Sequence, residues 1–256
     1  MDVDKILYVS AYAGRIILEN GGETYRVEET INRICKELGM DNADSFVTPT
    51  GIMASASHKA HGTHSIVMRI KNRTVNLQKV HEVNDLSRNL SANKRSVSEV
   101  MNELKNIDNS RRYGSIMTIF FSALGAGAFS MLYGGNIHDF TAAFIIGILL
   151  KAFSILGNSL SINDFFINSI SGAITALSAL ILLKTGIASN LDMTIIGSIM
   201  LLVPGLAITN AIRDTIAGDY LSGITRGAEA FLVAIAIAIG SGTILSLWLK
   251  LYGGIL

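Results

Sequence analysis

The chain has 256 residues, half of them hydrophobic, with a mean hydropathy of +0.44 and a formal net charge of +1. So apolar a composition argues against an ordinary soluble domain, and the absence of a basic, aromatic-interleaved patch argues against a nucleic-acid partner. The single cysteine, Cys35, excludes an internal disulfide framework and fits a reducing compartment.

Charge divides the chain. Residues 1–112 hold 16 of the 21 Lys/Arg and 14 of the 20 Asp/Glu, so two physically different parts meet near Arg111-Arg112. The opening stretch "MDVDKILYVSAYAGRIILEN" has no cationic start, apolar core or cleavage site, and reads as a helix over 4–19, not a secretory leader. Next, "GETYRVEETINRICKELG" at 22–39 places Val27, Ile31, Ile34 and Leu38 on one helical face, and Gly39 supplies the stop. The stretches "SFVTPTGIMASAS" and "THSIVMRIK" carry the β-branched content and turn residues of strands. A third short strand, "RTVNL", is expected after a turn at Lys71–Arg73. Helices are expected at 79–91 and 96–109, the second opened by Ser96 with Glu99 three later, a capping-box spacing. The order α-α-β-β-β-α-α predicts a small α+β domain over 1–112, large enough for a core of its own.

Beyond it the chain turns apolar. Runs near 115–133, 139–157, 164–183, 193–212 and 228–249 each approach 20 residues, about the length a helix needs to cross a ~30 Å hydrocarbon core. The expectation is a five-helix membrane bundle over 113–256, behind a cytoplasmic α+β domain. Arg111, Arg112, Lys151, Arg213 and Arg226 all fall on or near one side of such a bundle, with only Lys184 and Lys250 opposite. This bias favours a cytoplasmic N-terminus and, with an odd number of spans, an outward C-terminus. Small-residue stretches such as "SALGAGAFS" and "SISGAITALSAL" let helices approach closely, which implies a bundle and not isolated anchors.

Two long stretches carry a resemblance. "GGETYRVEETINRICKELGM" followed by "FVTPTGIMAS" resembles the N-terminal domain of the threonine/serine exporter family, and "LVPGLAITNAIRDTIAGDYLSGITRGAEA" is similar to its most recognisable membrane segment. The resemblance implies a secondary exporter of the bacterial inner (cytoplasmic) membrane. Single-chain members carry ten spans. A chain with five therefore resembles the larger subunit of the split type, which pairs with a small five-span partner and is associated with export of succinate and other dicarboxylates, as well as hydroxy amino acids. A homologous partner whose chain starts outside would be inserted upside down, giving an inverted-repeat pair with its site at the repeat interface.

The candidates for chemistry cluster in the fourth run and the loop after it. Pro204-Gly205 would break that span and free backbone groups toward a substrate; a packing kink is the plainer alternative. Asn210, Arg213 and Asp214 share a helical face one to three turns later. Arg213 suits a substrate carboxylate because a guanidinium makes two parallel bonds to it, although an interfacial Arg–Asp pair has the same spacing. Asp214, Asp219 and Glu229 are candidate proton carriers, and Glu229 equally suits a helix start. Lys151, Asn168 and Arg226 are secondary candidates; snorkelling accounts for Lys151 as well as binding does. In the N-terminal part, Glu23, Tyr25, Arg26 and Glu28 lie in the stretch that carries the resemblance. "HKAHGTH" spaces His58, His61 and His64 by three, but with no carboxylate or cysteine at ligand spacing, so no metal is expected. Ser55 and Ser57 near His58 do not make a triad, and no cofactor or catalytic residue is assigned. The rival reading is a membrane-anchored hydrolase or sensor acting through residues 1–112. A channel lacks a ring of like charges or a filter sequence.

Overall fold

The computed structural model describes residues 2–91, 95–110 and 113–253. Arg111 and Arg112, on which the orientation argument partly rests, lie outside the described residues. The chain divides into two compact units. One comprises Met1–Arg111 and Gly205–Ala228, the other Arg112–Pro204 and Glu229–Leu256.

In the first unit, helices α1 (Val3–Glu19) and α2 (Thr24–Glu37) are followed by strands β1 (Asn42–Thr48), β2 (Gly51–His58) and β3 (Gly62–Arg69). Helices α3 (Leu77–Asn89) and α4 (Val97–Asp108) complete the N-terminal part. The sheet is antiparallel in the order β1-β2-β3. Its alternation is that of a half-buried sheet: Val47, Ile52, Ala54 and Ala56 face the core while Phe46, Met53 and Val67 remain exposed across one row. The core joins that inner face to Ile6, Ile16 and Ile17 of α1, Val27, Ile31 and Ile34 of α2, and Val83 and Leu104 of α3 and α4. The expected stripe on α2 is therefore the buried one, and Gly39 follows its end at φ +96°. Ser96 and Glu99 form the expected capping box on α4.

The strands differ from expectation in two respects. "SFVTPTGIMASAS" is not one strand but a hairpin, turned at Pro49-Thr50 between β1 and β2. "RTVNL" is not a strand. The N–H groups of Thr74 and Asn76 bind the carbonyls of Glu19 and Asn20 at 2.7 and 3.0 Å, so this extended stretch satisfies the open C-terminal carbonyls of α1 and not the sheet edge.

The second unit holds α5 (Ser115–Leu132), α6 (Ile137–Ser159), α7 (Asp164–Lys184), α8 (Leu191–Ile199) and, from Glu229, most of α10 (Tyr220–Tyr252). Among the described residues, α5, α6, α7 and α10 are the helices long and apolar enough to cross a membrane. The chain is a membrane protein. The expected fourth span is divided: α8 ends at Ile199, residues 200–204 turn, and α9 (Gly205–Ala217) begins directly after Pro204. Proline there opens a helix, where its missing N–H costs nothing, instead of kinking one. The 33 residues of α10 reach roughly 50 Å at 1.5 Å per residue, longer than a span requires.

Close helix crossings in this unit use the small residues. A methyl on Gly172 of α7 would stand 2.5 Å from the carbonyl oxygen of Ile237, and one on Gly147 of α6 would stand 2.7 Å from the Cα of Ala123. Asp139 at the start of α6 is 1% exposed and accepts from the backbone N–H groups of Asn136, Ser189 and Asn190 at 3.0, 2.8 and 2.7 Å, tying the α7–α8 connection to α6.

Candidate functional site

Polar residues of α9, the turn after it and the start of α10 converge on one short segment, Gly21–Thr24, at the junction of α1 and α2. A glycine makes the approach of α9 possible. Gly21 has φ +96°, a conformation glycine adopts without strain, and a side chain there would meet Leu206 of α9 at 2.8 Å. Asn210 donates through Nδ2 to the Gly21 carbonyl at 2.9 Å, and Arg226 donates through Nη2 to the Gly22 carbonyl at 2.8 Å. Arg213 Nη1 meets Glu23 Oε1 at 2.6 Å. The Thr24 amide donates to Asp214 Oδ1 at 3.3 Å and its hydroxyl to Asp219 Oδ2 at 3.2 Å. Ser222 Oγ donates to the Val47 carbonyl at 3.4 Å, extending the contact to β1.

Two ion pairs of different character lie in this cluster. Arg226 Nε stands 3.1 Å from Asp214 Oδ2, with side chains only 6% and 0% exposed. Both charges are removed from water and each compensates the other, which holds the start of α10 beside α9. The Glu23–Arg213 pair is lopsided. The Glu23 side chain is 8% exposed while that of Arg213 is 55% exposed. Glu23 is also held by Arg26, through Nε at 2.8 Å and Nη2 at 3.4 Å. Burial works against ionisation of Glu23. Its own backbone N–H, Arg26 and Arg213 outweigh that, and its carboxyl is held below the ordinary value. Glu28, one turn along α2, behaves oppositely. Burial pushes it up, Asp219 and Asp214 push further, and the bond from the Val47 amide at 3.0 Å opposes them.

Of the residues singled out in the sequence, Asn210, Arg213, Asp214, Asp219 and Arg226 are brought together. Gly205 opens α9 with free space beside it. Pro204, Lys151, Asn168 and Glu229 belong to the other unit. Asn168 donates to the Asp164 carbonyl within α7 at 2.8 Å, Lys151 is half-buried on α6, and Glu229 is half-buried on α10, three residues after Arg226. Sequence reasoning did not pair Glu23 or Thr24 with α9, because the contacts join residues about 190 positions apart. Gly21, ahead of α2, was the available signal for a close backbone approach.

His58, His61 and His64 lie on the β2–β3 hairpin. His64 Nδ1 pairs with Asp4 at 2.7 Å, and the His58 and His61 rings lie tilted against each other with centres 5.0 Å apart. Among the described residues no three His, Cys, Asp or Glu side chains are placed to hold a metal. Ser55 Oγ donates to the His64 carbonyl at 3.1 Å.

The family model described as "Putative threonine/serine exporter" matches residues 9–248. The chain is 23% identical over 91% of its length to the "Probable succinate transporter subunit YjjP" of Klebsiella aerogenes, covering 90% of that protein. It is likewise 23% identical to the protein of the same name from Escherichia coli K12, over 92% of this chain and 91% of the other. Against the "Threonine/serine exporter" of Corynebacterium glutamicum, identity is 22% over 93% of this chain but only 50% of the relative. No solved structure matches.

Proposed function

Because this chain belongs to the threonine/serine exporter family, we propose that it is one subunit of a secondary exporter of small carboxylates, threonine and serine or a dicarboxylate such as succinate. The observation that carries the reading is Arg213. Its side chain is more than half exposed, with only Nη1 engaged among the described residues, whereas Arg226 is almost fully buried and Arg26 is held by Glu23 through two nitrogens. A planar guanidinium with open nitrogens is suited to a carboxylate. Asn210 lies one turn away on the same helix, which begins at Gly205 directly after Pro204. Asp214 and Asp219, beside Glu28, are the groups on this side that could carry a coupling proton, with Glu229 further along α10.

The partner is a small five-span subunit of the same family. Two facts support it: relatives matched over nearly their whole length are named subunits, and the Corynebacterium glutamicum relative is covered only by half. The pair works in the bacterial inner membrane with residues 1–112 in the cytoplasm, by alternating access driven by the proton gradient. The test is uptake of labelled succinate, threonine and serine into inside-out vesicles containing this chain, the partner, or both. Uptake by the pair alone is expected, and the transported compound names the substrate. No uptake of any of the three by the folded pair would refute the reading.

A further inference from the structure

We propose that Glu23 is an internal stand-in for the substrate: its carboxylate occupies Arg213, and an incoming carboxylate exchanges with it to release the Gly21–Thr24 segment. The inference rests on the carboxylate-export reading and adds its regulation. Glu23 is held from two sides, by Arg26 at 2.8 and 3.4 Å and by Arg213 at 2.6 Å. When Arg213 turns to another carboxylate, Glu23 keeps Arg26 and Arg213 keeps an anion. No charge is left uncompensated, so the exchange avoids the large cost of simply breaking a sheltered ion pair.

The arrangement favours entry from the Arg213 side. Its side chain is 55% exposed against 8% for Glu23, and a single guanidinium nitrogen holds the internal carboxylate, whereas a free ligand can take two. Release matters because the same segment carries the Gly21 and Gly22 carbonyls held by Asn210 and Arg226 and the Thr24 groups held by Asp214 and Asp219. Those two carboxylates are the proposed proton carriers. Loss of the Glu23 contact therefore loosens the bonds that Thr24 makes to them and couples carboxylate arrival to proton traffic. The titratable and charged groups facing this point are Glu23, Arg26 and Glu28 of the α2 region, Arg213, Asp214 and Asp219 from α9 and its end, and Arg226 of α10.

A binding site masked by an internal competitor shows an affinity lowered by the fraction of time it is masked. Two readouts on the full chain with its partner in lipid nanodiscs test the exchange: succinate and threonine binding by calorimetry, and hydrogen exchange at the Gly21–Thr24 amides. In the wild type, saturating substrate speeds exchange at the Thr24 amide. Glu23→Gln binds substrate about fivefold tighter, the size of one screened ion pair. The gain vanishes when Arg213→Gln is added. Glu23→Asp, one methylene shorter, gives a smaller gain in the same direction and serves where the glutamine variant does not fold. Unchanged or weaker binding in both Glu23 variants, with the wild type binding measurably, overturns the exchange while leaving carboxylate export standing. Unchanged Thr24 exchange on saturation also overturns it. If no folded variant binds either probe, the export reading itself falls and takes the exchange with it.

Discussion

Asp214 and Arg226 are the charges with most to lose. Both side chains are almost fully removed from water, so deleting one strands the other. Arg226→Met is expected to destabilise the full chain by about 3–5 kcal/mol, read from denaturant or thermal melting in detergent. Adding Asp214→Leu should restore a large part, because it removes the orphaned charge. A loss below about 1 kcal/mol in the single variant would show that water reaches the pair. Glu23 allows a pH prediction. Its folded-state carboxyl lies below the ordinary 4.5, so the stability it contributes is complete above that value and is lost as the pH falls through the lower folded value. Wild-type protein should lose stability more steeply than Glu23→Gln between about pH 5 and 3, measured as melting temperature against pH. Parallel curves would show that the Arg26 and Arg213 contacts do not govern its ionisation.

The elements show what can be read locally and what cannot. The α2 stripe, the capping box at Ser96 and four of the apolar spans were legible because each depends on a local pattern, a spacing of three or four residues or an unbroken apolar run of about 20. "RTVNL" looked like a strand because its composition fits one, yet the last carbonyls of α1 claimed its N–H groups. The fourth apolar run was long enough for a span, but hydropathy does not see that Pro204 starts a helix here. The contact between Gly21–Thr24 and α9 was hidden for another reason. No local pattern joins residues 190 apart, and each charge in α9 has an equally good local explanation. At this scale the glycines of α7 and α10 give a further prediction. A side chain on Gly240 falls on the Ser169 carbonyl, a backbone atom that cannot swing aside. Gly240→Ala should force α7 and α10 apart and cost about 1–3 kcal/mol, whereas Gly242→Ala, two residues on with open space around it, should be near neutral in the same melting experiment.

For the whole molecule, α9 links two jobs. It follows directly on the half-length α8 in the sequence, yet its polar side chains are committed to the N-terminal unit through Asn210, Arg213 and Asp214. In the proposed exporter this makes residues 1–112 a participant in transport and not a tether, since whatever moves Gly21–Thr24 also moves the residues around Arg213. The most direct measurement is the initial rate of substrate uptake into inside-out vesicles by the pair, with Arg213→Gln compared to Thr209→Ala. Thr209 is on the same helix and, among the described residues, its hydroxyl bonds the helix backbone at the Gly205 carbonyl. The account predicts a loss of at least about tenfold for Arg213→Gln, with its expression and melting temperature retained, and a near-wild-type rate for Thr209→Ala. A wild-type rate in Arg213→Gln would contradict it and remove Arg213 from the substrate's path.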